Sequence, residues 1–91
     1  MIKSKFELGQ VAATPGALAL AESGINIMAY LNRHANCDWG DMSQADKKEN
    51  DLSLEKGFRI MSSYKLPTGD KLWIITERDR SVTTFLLPEE Y

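Results

Sequence analysis

The chain predicts an α+β domain: an N-terminal strand, two to three helices, then a three-stranded antiparallel meander, with the helices packed on one face of the sheet. Three observations predict it. Helix starts and stops cluster between Thr14 and Gly57. Period-two alternation and β-branched runs fill the stretch from Phe58 to Leu87. Two short connections interrupt that second part, Leu66–Asp70 and Glu77–Arg80. Helices segregated from a run of strands are the pattern of an α+β layer rather than of a parallel sheet.

The elements follow in order. Phe6 to Ala12 alternates well enough for a first strand, whose place in the sheet the sequence does not assign. Thr14-Pro15-Gly16 opens a helix, since a threonine hydroxyl can cap and proline suits the first helical position. Ala17 to Ser23 continues it and Gly24 stops it. A second helix starts after Asn26, buries Ile27, Met28, Tyr30 and Leu31, and ends near His34 or Ala35. Ser43, with Asp46 three residues on, starts a third and polar helix that Gly57 ends. Then Phe58, Ile60, Ser62 and Tyr64 alternate with Arg59, Met61, Ser63 and Lys65. Lys71–Thr76 and Ser81–Leu87 are the last two strands, and Pro88 halts the second. An unpaired last strand guarded only by Pro88 would offer an edge to a second copy, which makes a homodimer an expectation.

With 91 residues, this is a single domain over 1–91. A chain of this size buries roughly 60–65% of its unfolded surface, enough for one core without metals or disulfides. No apolar run approaches the roughly 18 residues of a membrane span. Met1-Ile2-Lys3-Ser4-Lys5-Phe6 lacks the apolar stretch of a signal peptide. Cys37 is the sole cysteine and pairs with nothing in the chain. These readings point to the cytoplasm, with no membrane partner.

Charge is unevenly spread. From Asp38 to Glu55 six acids stand against Lys47 and Lys48, leaving −4. From Lys56 to Arg80 six bases stand against three acids, leaving +3. The second half could meet phosphate, or it could be strand edges guarded by Lys and Arg.

Several stretches together resemble one family. His34-Ala35-Asn36-Cys37-Asp38-Trp39-Gly40-Asp41 resembles an H-x-x-G-D-W-G-D signature. Trp73 to Thr84 resembles W-I-I-T-E-x-D-R-S-x-T-T, and Leu87-Pro88-Glu89-Glu90-Tyr91 matches L-P-E-E-Y. Ala13 to Leu18 also fits. The resemblance is to small uncharacterised bacterial proteins found near plasmids and other mobile elements. It implies one domain in a bacterial cytoplasm and transfers no activity. At Cys37 the family usually has glycine, which permits a positive φ that costs cysteine strain, so the loop is expected to differ slightly here.

Four groups could carry chemistry. His34 could be a general acid or base, or simply a histidine favoured at a helix C-terminus. Asp38, Trp39 and Asp41 form a candidate binding loop, in which Trp39 either anchors a partner or plugs the core. Arg78 and Arg80, with Ser81, Thr83 and Thr84, could hold a phosphodiester, or Arg and Asp could pair across the turn. Cys37 reads as an inert thiol. His34 with Asp38 and Asp41 is not a zinc pattern, so no metal and no cofactor are expected.

These features support three readings. The leading one is a protein-interaction or regulatory module whose unidentified protein partner docks at Trp39. The second is a small ribonuclease similar to the barnase, EndoU and RelE-like group, with His34 as acid or base, Arg80 as phosphate clamp and Ser81 or Thr84 as positioning donors. That reading rests on analogy of fold and residue types. The third is an RNA or other nucleic-acid-binding module without chemistry, marked by steep loss of affinity with salt.

Overall fold

In a computed structural model that describes residues 4–91, the chain order is β1 (Gln10–Ala13), α1 (Pro15–Glu22), α2 (Ile27–Ala35), α3 (Gln44–Lys56), β2 (Ile60–Lys65), β3 (Lys71–Thr76), β4 (Val82–Leu86) and a 3-10 turn at Pro88–Glu90. Met1, Ile2 and Lys3, part of the segment weighed as a leader, lie outside the described residues. No helix among those described is long and apolar enough to cross a membrane.

The local signals act as expected at most helix ends. The Thr14 hydroxyl accepts from Ala17 N–H, and the Ser43 hydroxyl accepts from Asp46 N–H. Gly57 closes α3 in the left-handed region at φ 78°. Asn26 precedes α2 but its side chain makes no capping bond. Two strands start later than their patterns suggest. Phe58 is held by the end of α3, its N–H donating to Ser53 C=O, so β2 begins at Ile60. Gly9 turns at φ 65° against the backbone of Arg80 and Ser81, so β1 is confined to Gln10–Ala13.

The sheet order is β1-β4-β3-β2. Strands β2, β3 and β4 form the antiparallel meander, and β1 adds to β4 in parallel, which makes the sheet mixed and four-stranded. Strand β4 therefore lies inside the sheet with both edges taken. The expected route to a homodimer through β4 is closed for that reason.

Helices α1 and α2 cover one sheet face. Ala17 and Leu31 pack there with Tyr64, Leu66, Leu72, Ile74 and Phe85 into the apolar core. Helix α3 is mostly polar and runs along the β2 edge instead. Its Asn50 amide donates to Met61 C=O (2.7 Å) and accepts from Met61 N–H (3.1 Å), as a neighbouring strand would. The opposite face carries no helix across β3 and β4; the 3-10 turn folds against β3. That turn also ties the chain together. The Glu90 carboxylate accepts from Thr14 Oγ1 (2.5 Å) and from the N–H groups of Gly16 (2.9 Å) and Leu87 (2.9 Å). The Thr14-Pro15-Gly16 and Leu87-to-Tyr91 motifs are thus two halves of one contact.

Helix α2 ends in a Schellman motif. Asp38 N–H bonds to Arg33 C=O and Cys37 N–H to His34 C=O. Cys37 sits at the left-handed position with φ 66°. The loop keeps the geometry that favours glycine and carries the strain of a cysteine. Left-handed backbone costs a non-glycine residue about 1–2 kcal/mol, partly offset by the chain entropy that glycine loses. Cys37→Gly should therefore raise stability by about 0.5–1 kcal/mol in urea unfolding. An unchanged or lower midpoint would mean that burial of the thiol outweighs the strain.

Asn50→Asp replaces the amide donor with a carboxylate aimed at Met61 C=O. It should lower stability by about 1–3 kcal/mol in the same measurement. An unperturbed midpoint would show that the amide bonds contribute nothing to holding α3 on the edge.

Candidate functional site

The residues singled out from the sequence fall into three structural groups, and the first is buried. His34 lies on α2 with its side chain wholly inside (0% exposed). Its ring meets Phe6 edge-on (centroids 5.4 Å) and Trp39 edge-on (5.9 Å). Its nitrogens bond to two strands, Nδ1 to Ser62 Oγ at 2.5 Å and Nε2 to Thr76 Oγ1 at 2.9 Å. Thr76 Oγ1 lies 2.7 Å from Thr83 Oγ1, which donates to Leu8 C=O at 2.7 Å.

The last acceptor sets the direction of the whole chain. A carbonyl cannot donate, so Thr83 gives its proton to Leu8 and accepts from Thr76. Thr76 has then spent its proton and accepts from His34 Nε2–H. Nδ1, bare in that tautomer, accepts from Ser62. The network thereby assigns His34 as neutral with its proton on Nε2. Burial pushes its pKa down to about 3. With no exposed atom and both nitrogens occupied, His34 offers no proton-transfer position to an external substrate in this conformation.

The Asp38–Asp41 loop forms the second group, and each of its residues is engaged with the fold. Asp38 pairs with Arg33 (Nε to Oδ2, 2.7 Å), and that hydrogen bond holds its carboxyl below the usual range. Both side chains are near half exposed, so the pair adds little stability. Asp38 C=O accepts from Tyr64 Oη–H (2.7 Å), while burial raises the phenol above its ordinary pKa. Trp39 is 4% exposed and its indole N–H donates to Asp51 Oδ1 on α3 (3.1 Å). It is a plug over His34 and gives no surface for stacking or docking. Gly40 packs against β2 so closely that a Cβ would strike Ser63 C=O and the Tyr64 ring. Asp41 N–H donates to Ser63 C=O (2.6 Å), and its carboxylate accepts from Lys65 N–H (2.8 Å). This loop acts as a pseudo-strand on the β2 edge. Cys37 is half-buried, and burial pushes its thiol up, away from the reactive thiolate.

The β3–β4 turn is the third group. Arg80 has φ 59° and turns its guanidinium back onto backbone. Nη1 donates to Phe58 C=O (2.7 Å) and Glu77 C=O (3.1 Å), and Nη2 to Ser53 C=O (3.0 Å) at the end of α3. The fork that could clamp a phosphate instead staples a helix end to a strand turn. Ser81 donates from N–H and Oγ to Asp79 Oδ1, which lowers the Asp79 pKa. Arg78 is exposed in the turn. Thr84 follows Thr83 on β4, so it points to the sheet face opposite His34. The fold does not bring His34, Arg80, Ser81 and Thr84 to one solvent-facing site. No metal-ligand cluster occurs among the described residues.

What remains open is a surface that the sequence reading missed. On the helix-free face Trp73 packs edge-on against Tyr91 (5.7 Å). Arg59 Nη1 donates to Tyr91 Oη (2.6 Å) with its guanidinium 5.4 Å from the ring centre. Tyr91 is 67% exposed. Lys65 and Lys71 are paired in register at one end of the same face, and both are exposed. The available signal was the alternation itself: Arg59, just before β2, and Met61, Ser63 and Lys65 on it alternate with the core-facing Ile60, Ser62 and Tyr64. No family model, curated protein or solved structure matches this chain.

The relay makes a pH prediction. The unfolded His34 titrates near its ordinary 6.5 and the folded one near 3, so acid protonates the unfolded chain first. Stability is fully present above pH ~6.5 and falls as pH drops toward 3, by up to about 1.4 kcal/mol per pH unit from this group. The shifted carboxylates, Asp38, Asp79 and Glu90, act lower down because their folded pKa values are depressed. Urea unfolding of the native chain at pH 7, 6 and 5 should therefore show a loss that His34→Gln lacks. Equal slopes in both chains over that window would remove histidine as its origin.

Proposed function

We propose that this chain is a non-catalytic interaction module that docks a protein partner through the helix-free face of its sheet. One observation carries the reading: Trp73, Tyr91 and Arg59 cluster on the face that no helix covers. Trp, Tyr and Arg are the side chains that most often dominate binding energy at protein interfaces. Each combines a large contact area with a polar handle, and here they hold one another in place before a partner arrives. Lys65 and Lys71 beside them favour an acidic partner surface. The motif resemblance supports a bacterial accessory role of the mobile-element kind.

A catalytic reading has less support. Its acid–base group is sealed and neutral, and its clamp is spent on backbone carbonyls.

The test uses quantitative capture from bacterial extract by immobilised native chain, beside Tyr91→Ala and the Lys65→Glu/Lys71→Glu pair. A partner should be retained by the native chain and reduced at least about tenfold by either change, with the far-ultraviolet spectrum unaltered. Retention that neither variant weakens would move the interface elsewhere. RNA cleavage by the native chain that His34→Gln abolishes without unfolding would replace the reading with an enzymatic one.

A further inference from the structure

The two edges of the sheet are built differently. On β2 the outward groups are the N–H and C=O of Met61 and Ser63 and the N–H of Lys65. Asn50, Trp39 and Asp41 satisfy these five, leaving of the outward set only Lys65 C=O at the strand's end. On β1, Gln10 N–H donates to Ser81 and Thr14 N–H to Phe85. Residues alternate along a parallel ladder, so Gln10, Ala12 and Thr14 face β4 while Val11 and Ala13 aim their N–H and C=O groups outward. Among the described residues nothing bonds those four groups. Gln10–Ala13 also has none of the common edge guards, neither charge nor proline. Val11 is 43% exposed.

We propose that β1 pairs antiparallel with β1 of a second copy, joining two four-stranded sheets into one of eight strands. Bare backbone donors and acceptors at an edge specify another extended backbone as occupant. This strand is its own complement. A two-fold axis through Ala12 opposes Val11 to Ala13 of the other copy, and Ala13 to Val11. Those are hydrogen-bonded pairs, so four bonds use every outward group on both strands. Ala12 meets its equivalent at the axis as a non-hydrogen-bonded pair, which its small side chain fits without a clash. The strand carries no charge, so self-pairing meets no like-charge repulsion although the chain is net −2. Val11 and Ala13 lie on the Phe85 side of the sheet, beneath α1, where Leu18 is 50% exposed. That side gives the paired strands an apolar flank. An interface of one short strand and its flank belongs to the small, concentration-dependent class.

The contact is independent of the helix-free face, so Tyr91→Ala leaves it intact. Sedimentation of the native chain from about 10 μM to about 1 mM tests it, beside Val11→Pro and Val11→Lys. Residue 11 donates nothing to β4, so proline removes only the outward N–H, and lysine guards the edge without touching a bond. The native mass should double with concentration, and both variants should associate at least about tenfold more weakly while keeping the native far-ultraviolet spectrum. If Val11→Pro unfolds, Val11→Lys decides. A native chain that stays monomeric throughout overturns the proposal, including the case in which the edge takes a strand from a different protein. So does a dimer that folded Val11→Lys leaves undiminished.

Discussion

An imidazole and three hydroxyls sit where an apolar core would be cheaper, and the architecture around them follows from keeping all four satisfied. Ser62, Thr76 and Thr83 come from three neighbouring strands and His34 from α2. Their bonds tie the helix layer to the middle of the sheet. An unsatisfied hydroxyl at such depth costs about 1–3 kcal/mol, so strand register, helix placement and the path of Leu8 are specified together. Phe6 and Trp39 then close the site against water. The contents of this core are polar, yet among the described residues no buried side-chain polar atom lacks a partner.

Much of this was legible in the residues, and the rest was hidden for physical reasons. Caps and stops at Thr14, Gly24, Ser43 and Gly57 are local chemistry and act where the sequence puts them. The meander follows from alternation and turn residues. The place of β1 was not readable, because parallel pairing with β4 joins residues more than 70 positions apart. The role of His34 was misleading in the sequence because a histidine by an acidic loop looks solvent-facing. Only the inward alternation of Ser62 with Ile60 and Tyr64 hinted at a polar interior. Arg80 and Trp39 looked functional because their types are. Their partners are backbone carbonyls and a helix carboxylate, which no spacing rule reveals. Cys37 was readable only in its thiol, which is held away from reactivity; the loop was expected to depart from glycine geometry there, yet it keeps the left-handed position because the Schellman bonds of α2 hold it.

The sequence motifs therefore mark how the molecule closes on itself. Asp38 to Asp41 seals one sheet edge, Arg80 staples α3, and Glu90 ties the last turn to the start of α1. The two proposed recognition surfaces are the helix-free face, which draws Trp73 and Tyr91 from these same motifs, and the β1 edge. A two-fold normal to the sheet would place both helix-free faces on the same side, so two modest contacts could act as one bivalent grip.

The one-way order of protons from Ser62 to Leu8 has a consequence for inheritance. Replacing Thr76 with valine strands a donor on His34 and an acceptor need on Thr83 at once. Replacing His34 strands Ser62 and Thr76. No single step leads from this interior to an apolar one without passing through an orphaned group, whereas a joint exchange could be nearly neutral. The four positions behave as one heritable character, kept or lost as a set.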